Sequence, residues 1–100
     1  MISILGDVEA MTKLGQRIRA LRLQRNISQS QVAGVVGVTL PTYRKIEAGR
    51  GTVEFRHVAK TLGYFGYVEA LGDLVPDSGA LMSLKESIGT PERKYSSRKR

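Results

Sequence analysis

Apolar side chains recur at helical spacing along most of this chain, and the breaks between them fall at residues suited to turns. Leu14, Ile18 and Leu21 form one stripe, which predicts a first helix capped by Asp7 and running to about Arg25. Glu9 stands four residues before Lys13, a supporting pair on a helix surface, and Asn26 is suited to a left-handed ending. Ser28 then has the side chain of a helix cap, and Gln29, Val32, Ala33 and Val36 follow on one face. Thr39 is the next cap, Pro41 falls where proline is tolerated in a first turn, and Tyr43, Ile46 and the Ala48-Gly49 ending complete a third helix. Phe55, Val58, Ala59 and Leu62 predict a fourth helix stopped by Gly63. Phe65, Val68 and Leu71 predict a fifth before Gly72.

Five such helices close one core, so the expectation is an all-α domain over residues 7–74. Residues 75–100 form an extension. Within it the Pro76-Asp77-Ser78-Gly79 cluster is a turn signal, and Leu81, Leu84 and Ile88 would line a short sixth helix over 80–88. That stripe has no evident partner in the five-helix core. Together with Ile2, Ile4 and Leu5 it offers apolar surface for a second copy or another protein, and a homodimer is the favoured expectation.

The segment from Ser28 to Gly49 carries the most chemistry. Two short helices meet at Gly37, where a residue without Cβ reaches positive φ at little cost, and Val38 can plug the corner. This is the pattern of a helix-turn-helix, which sets the start of its second helix in the major groove of DNA and its first across the backbone. On that geometry Gln29 and Thr39, near helix amino termini, are candidate phosphate ligands. Leu40 and Pro41 would contribute only apolar contact, such as with a thymine methyl, whereas Arg44 and Lys45 would donate to guanine N7 and O6. Thr42 shares their face. The alternative for Arg44 and Lys45 is a solvated basic face. Arg50, in the loop Gly49-Arg50-Gly51, is a further candidate for phosphate, the alternative being a plain connection.

Charge adds to this picture. Sixteen Lys and Arg against nine Asp and Glu give a net charge of +7, which favours a polyanionic partner. Part of the excess is terminal: Pro91 to Arg100 carries Arg93, Lys94, Arg98, Lys99 and Arg100 against Glu92. That run is either a mobile arm for phosphate or an acidic surface, or a frayed basic terminus.

The chain has no cysteine, which removes disulfides and thiolate metal sites. No apolar run reaches the roughly 20 residues of a membrane span, and the MISILGDVEAM opening lacks the pattern of a secretion signal, so a cytoplasmic protein is expected. His57, the chain's single histidine, has no obvious sequence neighbour to orient it as a base, and there is no phosphate-cradling loop, nucleophile elbow or spaced ligand set. Neither catalysis, cofactor nor metal is expected.

The run IRALR at Ile18 to Arg22, ISQ at Ile27 to Gln29, Ala33, Gly37-Val38, and IEAG at Ile46 to Gly49 together carry a family likeness. Residues 14–72 resemble the Xre-type family of phage repressor and Cro-like DNA-binding domains. The resemblance implies a compact five-helix Cro/repressor-like domain that binds double-stranded DNA. It also implies an architectural ion pair between Arg22 of the first helix and Glu47 near the end of the reading helix. A dimeric repressor on a palindromic operator is the expected function, with half-sites about 34 Å apart or a multiple of that. Three departures stand out. Gly34 sits mid-helix, at a cost of about 1 kcal/mol against alanine. Tyr43 replaces an aliphatic residue and needs a partner for its hydroxyl if buried. Leu40 and Pro41 stand where polar reading residues are usual, so an operator cannot be borrowed from relatives. More distantly, the DVEAMTKLGQRIRALR opening and the added tail are similar to HipB-like antitoxins, which implies the alternative of a toxin partner held by the extension.

Overall fold

The computed structural model describes residues 4–77 and 79, and within them the chain is five helices without a strand. They are α1 (Asp7–Gln24), α2 (Gln29–Val36), α3 (Leu40–Ala48), α4 (Phe55–Phe65) and α5 (Val68–Gly72). Helix α3 packs on α1 and α2, α4 packs on α2, and α5 folds back on α4. The fold is therefore the all-α five-helix domain expected. The proposed sixth helix, the basic run 91–100 and Ile2 lie outside the described residues.

The core is Ile18 from α1, Val32, Ala33 and Val36 from α2, Tyr43 and Ile46 from α3, and Leu62 and Phe65 from α4. Each large side chain removed from water contributes about 1.5–3 kcal/mol, which is what holds helices too short to stand alone. Val38 packs against this cluster from the turn, as the corner plug should. Gly37 closes α2 at φ 86°, and Asn26 ends the turn after α1 at φ 60°.

Four local expectations need correction. Asp7 is not the cap of α1: Gly6 holds that place at φ 75°, and Asp7 is the first helical residue, where its charge favours the helix dipole. The helix ends at Gln24 with Arg25 as its carboxyl cap, where the end was expected. Gly63 does not stop α4. The helix runs on to Phe65, which is buried, and ends at Gly66 in a left-handed conformation. The cost of a mid-helix glycine is offset by burying Phe65, and a Cβ on Gly63 would make only ordinary contact with Val68, 3.7 Å from its Cβ. Phe65 thus belongs to α4 and not to α5. Phe55, expected inside, is 66% exposed because it is the first residue of α4, ahead of the turn that meets the core.

Contacts that the apolar pattern did not announce also fix the fold. Thr61 is fully buried, and its hydroxyl donates to the His57 carbonyl at 2.8 Å. Arg25 donates to the Phe65 carbonyl at 3.3 Å, with its guanidinium carbon 5.2 Å from the Phe65 ring centre, which ties the end of α1 to the end of α4. Gly15 and Gly49 let backbones meet. A Cβ on Gly15 would lie 2.8 Å from the Ile46 carbonyl oxygen, and one on Gly49 would lie 2.7 Å from that of Met11.

Candidate nucleic-acid interface

The amino end of α2 is closed by a capping box. Ser28 Oγ accepts from the Gln31 amide and the Gln31 side chain accepts from the Ser28 amide, each at 3.0 Å. The S-x-x-Q spacing at Ser28 to Gln31 was a legible signal for it. The amino end of α3 is closed by Thr39, whose Oγ1 accepts from the Thr42 amide at 3.3 Å and donates to Thr42 Oγ1 at 3.1 Å. Pro41 lies in the first turn, where its missing N–H costs no helical bond. Both helices therefore start at fixed points on either side of the Gly37 turn.

On α3 the residues divide by face. Tyr43, Ile46 and Glu47 are buried, Pro41, Arg44 and Lys45 are exposed, and Leu40 and Thr42 are half-buried at the start of the helix. Arg50 is exposed just beyond the helix, and its amide donates to the Lys45 carbonyl at 3.0 Å, closing the last turn. Arg50 is also held near α1, because Gly49 packs on the Met11 and Thr12 backbone.

Beneath this surface lies a buried polar cluster centred on Glu47. Arg22 donates from Nε to Glu47 Oε2 at 2.6 Å and from Nη2 to Oε1 at 3.2 Å, and both residues are 7% exposed. Tyr43 Oη donates to Oε2 at 2.6 Å, and Gln29 Nε2 donates to Oε1 at 3.0 Å. Arg22 Nη1 further donates to the Ile27 carbonyl at 2.9 Å. Burial by itself would raise the Glu47 carboxyl, but the bonds from Arg22, Tyr43 and Gln29 outweigh it and hold the group below its ordinary value. Burial, and then the adjacent carboxylate, push the Tyr43 phenol well above its ordinary value. The Arg22 guanidinium is held charged more firmly than usual by its bond to Glu47. Every member of the cluster is satisfied, the condition under which a buried charge network is tolerable.

Gln29 is the point where this cluster reaches the surface. Its Nε2 is bonded to Glu47, while its Oε1 accepts from Arg44 Nε at 3.5 Å, a long and weak bond. Gln29, on α2, is thereby placed beside Arg44, on the exposed face of α3. Sequence reasoning assigned Gln29 by its position near a helix start and did not foresee these two bonds. It also asked for a partner for the Tyr43 hydroxyl without finding the carboxylate one helical turn further on.

His57 Nε2 lies 3.4 Å from Glu54 Oε1, and its Nδ1 is buried without a hydrogen-bond partner. Glu54 is thus the neighbour that sequence reading did not identify. It is exposed and also accepts from Arg56 at 2.8 Å, which lowers its carboxyl. Among the described residues no set of three or more His, Asp or Glu could hold a metal ion, and no helix is long and apolar enough to cross a membrane.

Two capped short helices joined at a left-handed glycine, with the second braced from below and basic on its outer face, define a helix-turn-helix of the DNA-binding class. The comparison of families agrees: the family model described as a helix-turn-helix domain matches residues 13–74, and the chain belongs to that family. No curated protein and no solved structure matches the chain.

Proposed function

We propose that the protein is a sequence-specific transcriptional repressor that binds a palindromic operator as a homodimer, in the manner of the Xre-type domains it resembles. The observation that carries this reading is the exposed Arg44-Lys45 pair on a helix whose buried face is fixed by the Glu47 cluster. A rigid, basic, outward-facing helix is what base readout requires. Arg44 and Lys45 donate to guanine edges, Thr42 and Leu40 add shorter-range contacts, and Pro41 brings only apolar surface. Thr39, Gln29 and Arg50 grip phosphates. Gln29 has one further role, since the amide that meets the backbone also touches Arg44 and so links phosphate contact to the orientation of a reading side chain.

Two heads are needed because one short helix contacts only a few base pairs, and a two-fold pair doubles the site at fixed spacing. Repression follows by occlusion of a promoter, in the cytoplasm. The antitoxin alternative depends on residues 80–100, and no observation favours it.

The test is fluorescence anisotropy with DNA from immediately upstream of the protein's own gene, titrated with salt beside scrambled DNA. Specific binding exceeds nonspecific affinity by at least about 10³-fold if the reading is right. Equal, salt-labile binding to both DNAs would mean that only charge is at work.

A further inference from the structure

An open hollow lies between α1 and α5, away from α3. It is an open groove of about 760 Å³ whose wall includes Leu14, Leu21, Tyr67, Leu71 and Leu74, with Arg17 as a charged member. Leu74 is 71% exposed and Tyr67 48% exposed, so the groove leaves substantial apolar surface uncovered. The exposed carboxylates Glu69 and Asp73 stand on and just after α5, next in sequence to groove residues, and Asp77 follows.

We propose that this groove is the docking site for the chain's own segment 80–88, seated within the same molecule. Where the chain leaves the domain supports this, because Leu74 lines the groove and only residues 75–79 separate it from Ala80. Five residues reach at most about 17 Å, so the segment starts beside the groove and is held at high effective concentration. Its length also fits. Nine residues in a helix measure about 13 Å, and α1 between Ala10 and Gln24, both of which line the groove, spans about 21 Å. The chemistry is complementary as well: Leu81, Leu84 and Ile88 fall on one helical stripe to face the apolar wall. Lys85 and the basic run from Arg93 onward would face the carboxylates Glu69 of α5 and Asp73 and Asp77 after it. The described domain has an apolar groove with acid beside it, and the remaining chain is apolar and then basic. Docking would anchor the basic run to the domain rather than leave it tethered through residues 75–79 alone.

Because the chain has no cysteine, Ser83→Cys gives a unique attachment point for a nitroxide spin label in the full-length protein. Amide signals of residues lining the groove, Ala20 and Ala70 among them, should lose intensity while those of Arg44 and Lys45 do not. Leu84→Asp and, separately, Leu74→Asp, at an exposed position, should each restore the lost signals with the rest of the spectrum unchanged. Mixing spin-labelled protein of natural isotope content with ¹⁵N-labelled protein lacking the nitroxide separates the possible sources. Broadening that appears only in the mixture identifies a second copy in the groove and overturns the proposal, as does the absence of any localised broadening. No DNA enters this measurement, so its outcome is independent of the repressor reading.

Discussion

Arg22 and Glu47, twenty-five residues apart, meet through two hydrogen bonds of 2.6 and 3.2 Å in the interior, and this contact ties the first helix to the underside of the exposed basic one. Tyr43 and Gln29 complete the coordination of the same carboxylate. The position of the basic face on α3 therefore depends on a network that never reaches it directly, except through Gln29.

Breaking the pair from one side should be costly. Arg22→Met or Glu47→Leu leaves a buried charged or polar remnant, and each should lower the unfolding free energy by about 3–5 kcal/mol in urea titrations. The double variant should lose less than the sum of the two, because it strands no charge. Simple additivity in the cycle would mean the two side chains act independently, contrary to the geometry.

The same cluster predicts a stability profile in pH. Glu47 is held below its ordinary value of 4.5, so its contribution is present above that pH and is lost as pH falls through the folded value. Tyr43 is held above its ordinary value of 10.0, so its contribution is full below pH 10 and is lost as pH rises beyond it. Glu47→Gln should flatten the acid limb and Tyr43→Phe the alkaline limb of unfolding free energy against pH. An unchanged acid limb in Glu47→Gln would assign acid unfolding to other carboxylates.

Two glycines should respond in opposite directions to alanine. Gly34 is exposed in α2 and a Cβ there meets nothing within 4 Å, so Gly34→Ala should stabilise by about 1 kcal/mol. At Gly15 a Cβ would press on the Ile46 and Glu47 backbone, and Gly15→Ala should destabilise by about 1–3 kcal/mol through forced separation of α1 and α3. Thermal unfolding followed by circular dichroism reads both, and a neutral Gly15→Ala would show that the helices separate without strain.

On DNA the exposed cations should separate by role. Arg44→Ala should weaken the specific site by about 1–3 kcal/mol and scrambled DNA much less. Arg50→Ala should weaken both alike and reduce the salt slope by about 1. Anisotropy titrations at several salt concentrations measure both, and equal losses on the two DNAs for Arg44→Ala would move that residue to the backbone.

Much of this architecture is legible in order along the chain. The stripes at Ile18, Val32, Val36, Tyr43, Ile46 and Leu62 mark buried faces, and Ser28, Thr39, Gly37 and Gly49 mark ends and turns, because these signals act between residues a few positions apart. The errors come where a distant contact outweighed a local preference. Gly63 reads as a stop, yet burial of Phe65 carries the helix past it. Phe55 opens an apolar stripe, yet it stands ahead of the part of α4 that reaches the core.

The sequence by itself determined five amphipathic helices, the turn at Gly37 and a basic outer face on α3, since periodicity, capping and charge are properties of neighbouring residues. Only the tertiary structure decided which carboxylate the Tyr43 hydroxyl meets, that Gln29 joins the buried pair to Arg44, and that Gly15 is where α1 and α3 touch. These depend on side chains converging from separate helices, where a few tenths of an ångström decide between a hydrogen bond and a clash. No spacing along a single chain encodes that distance.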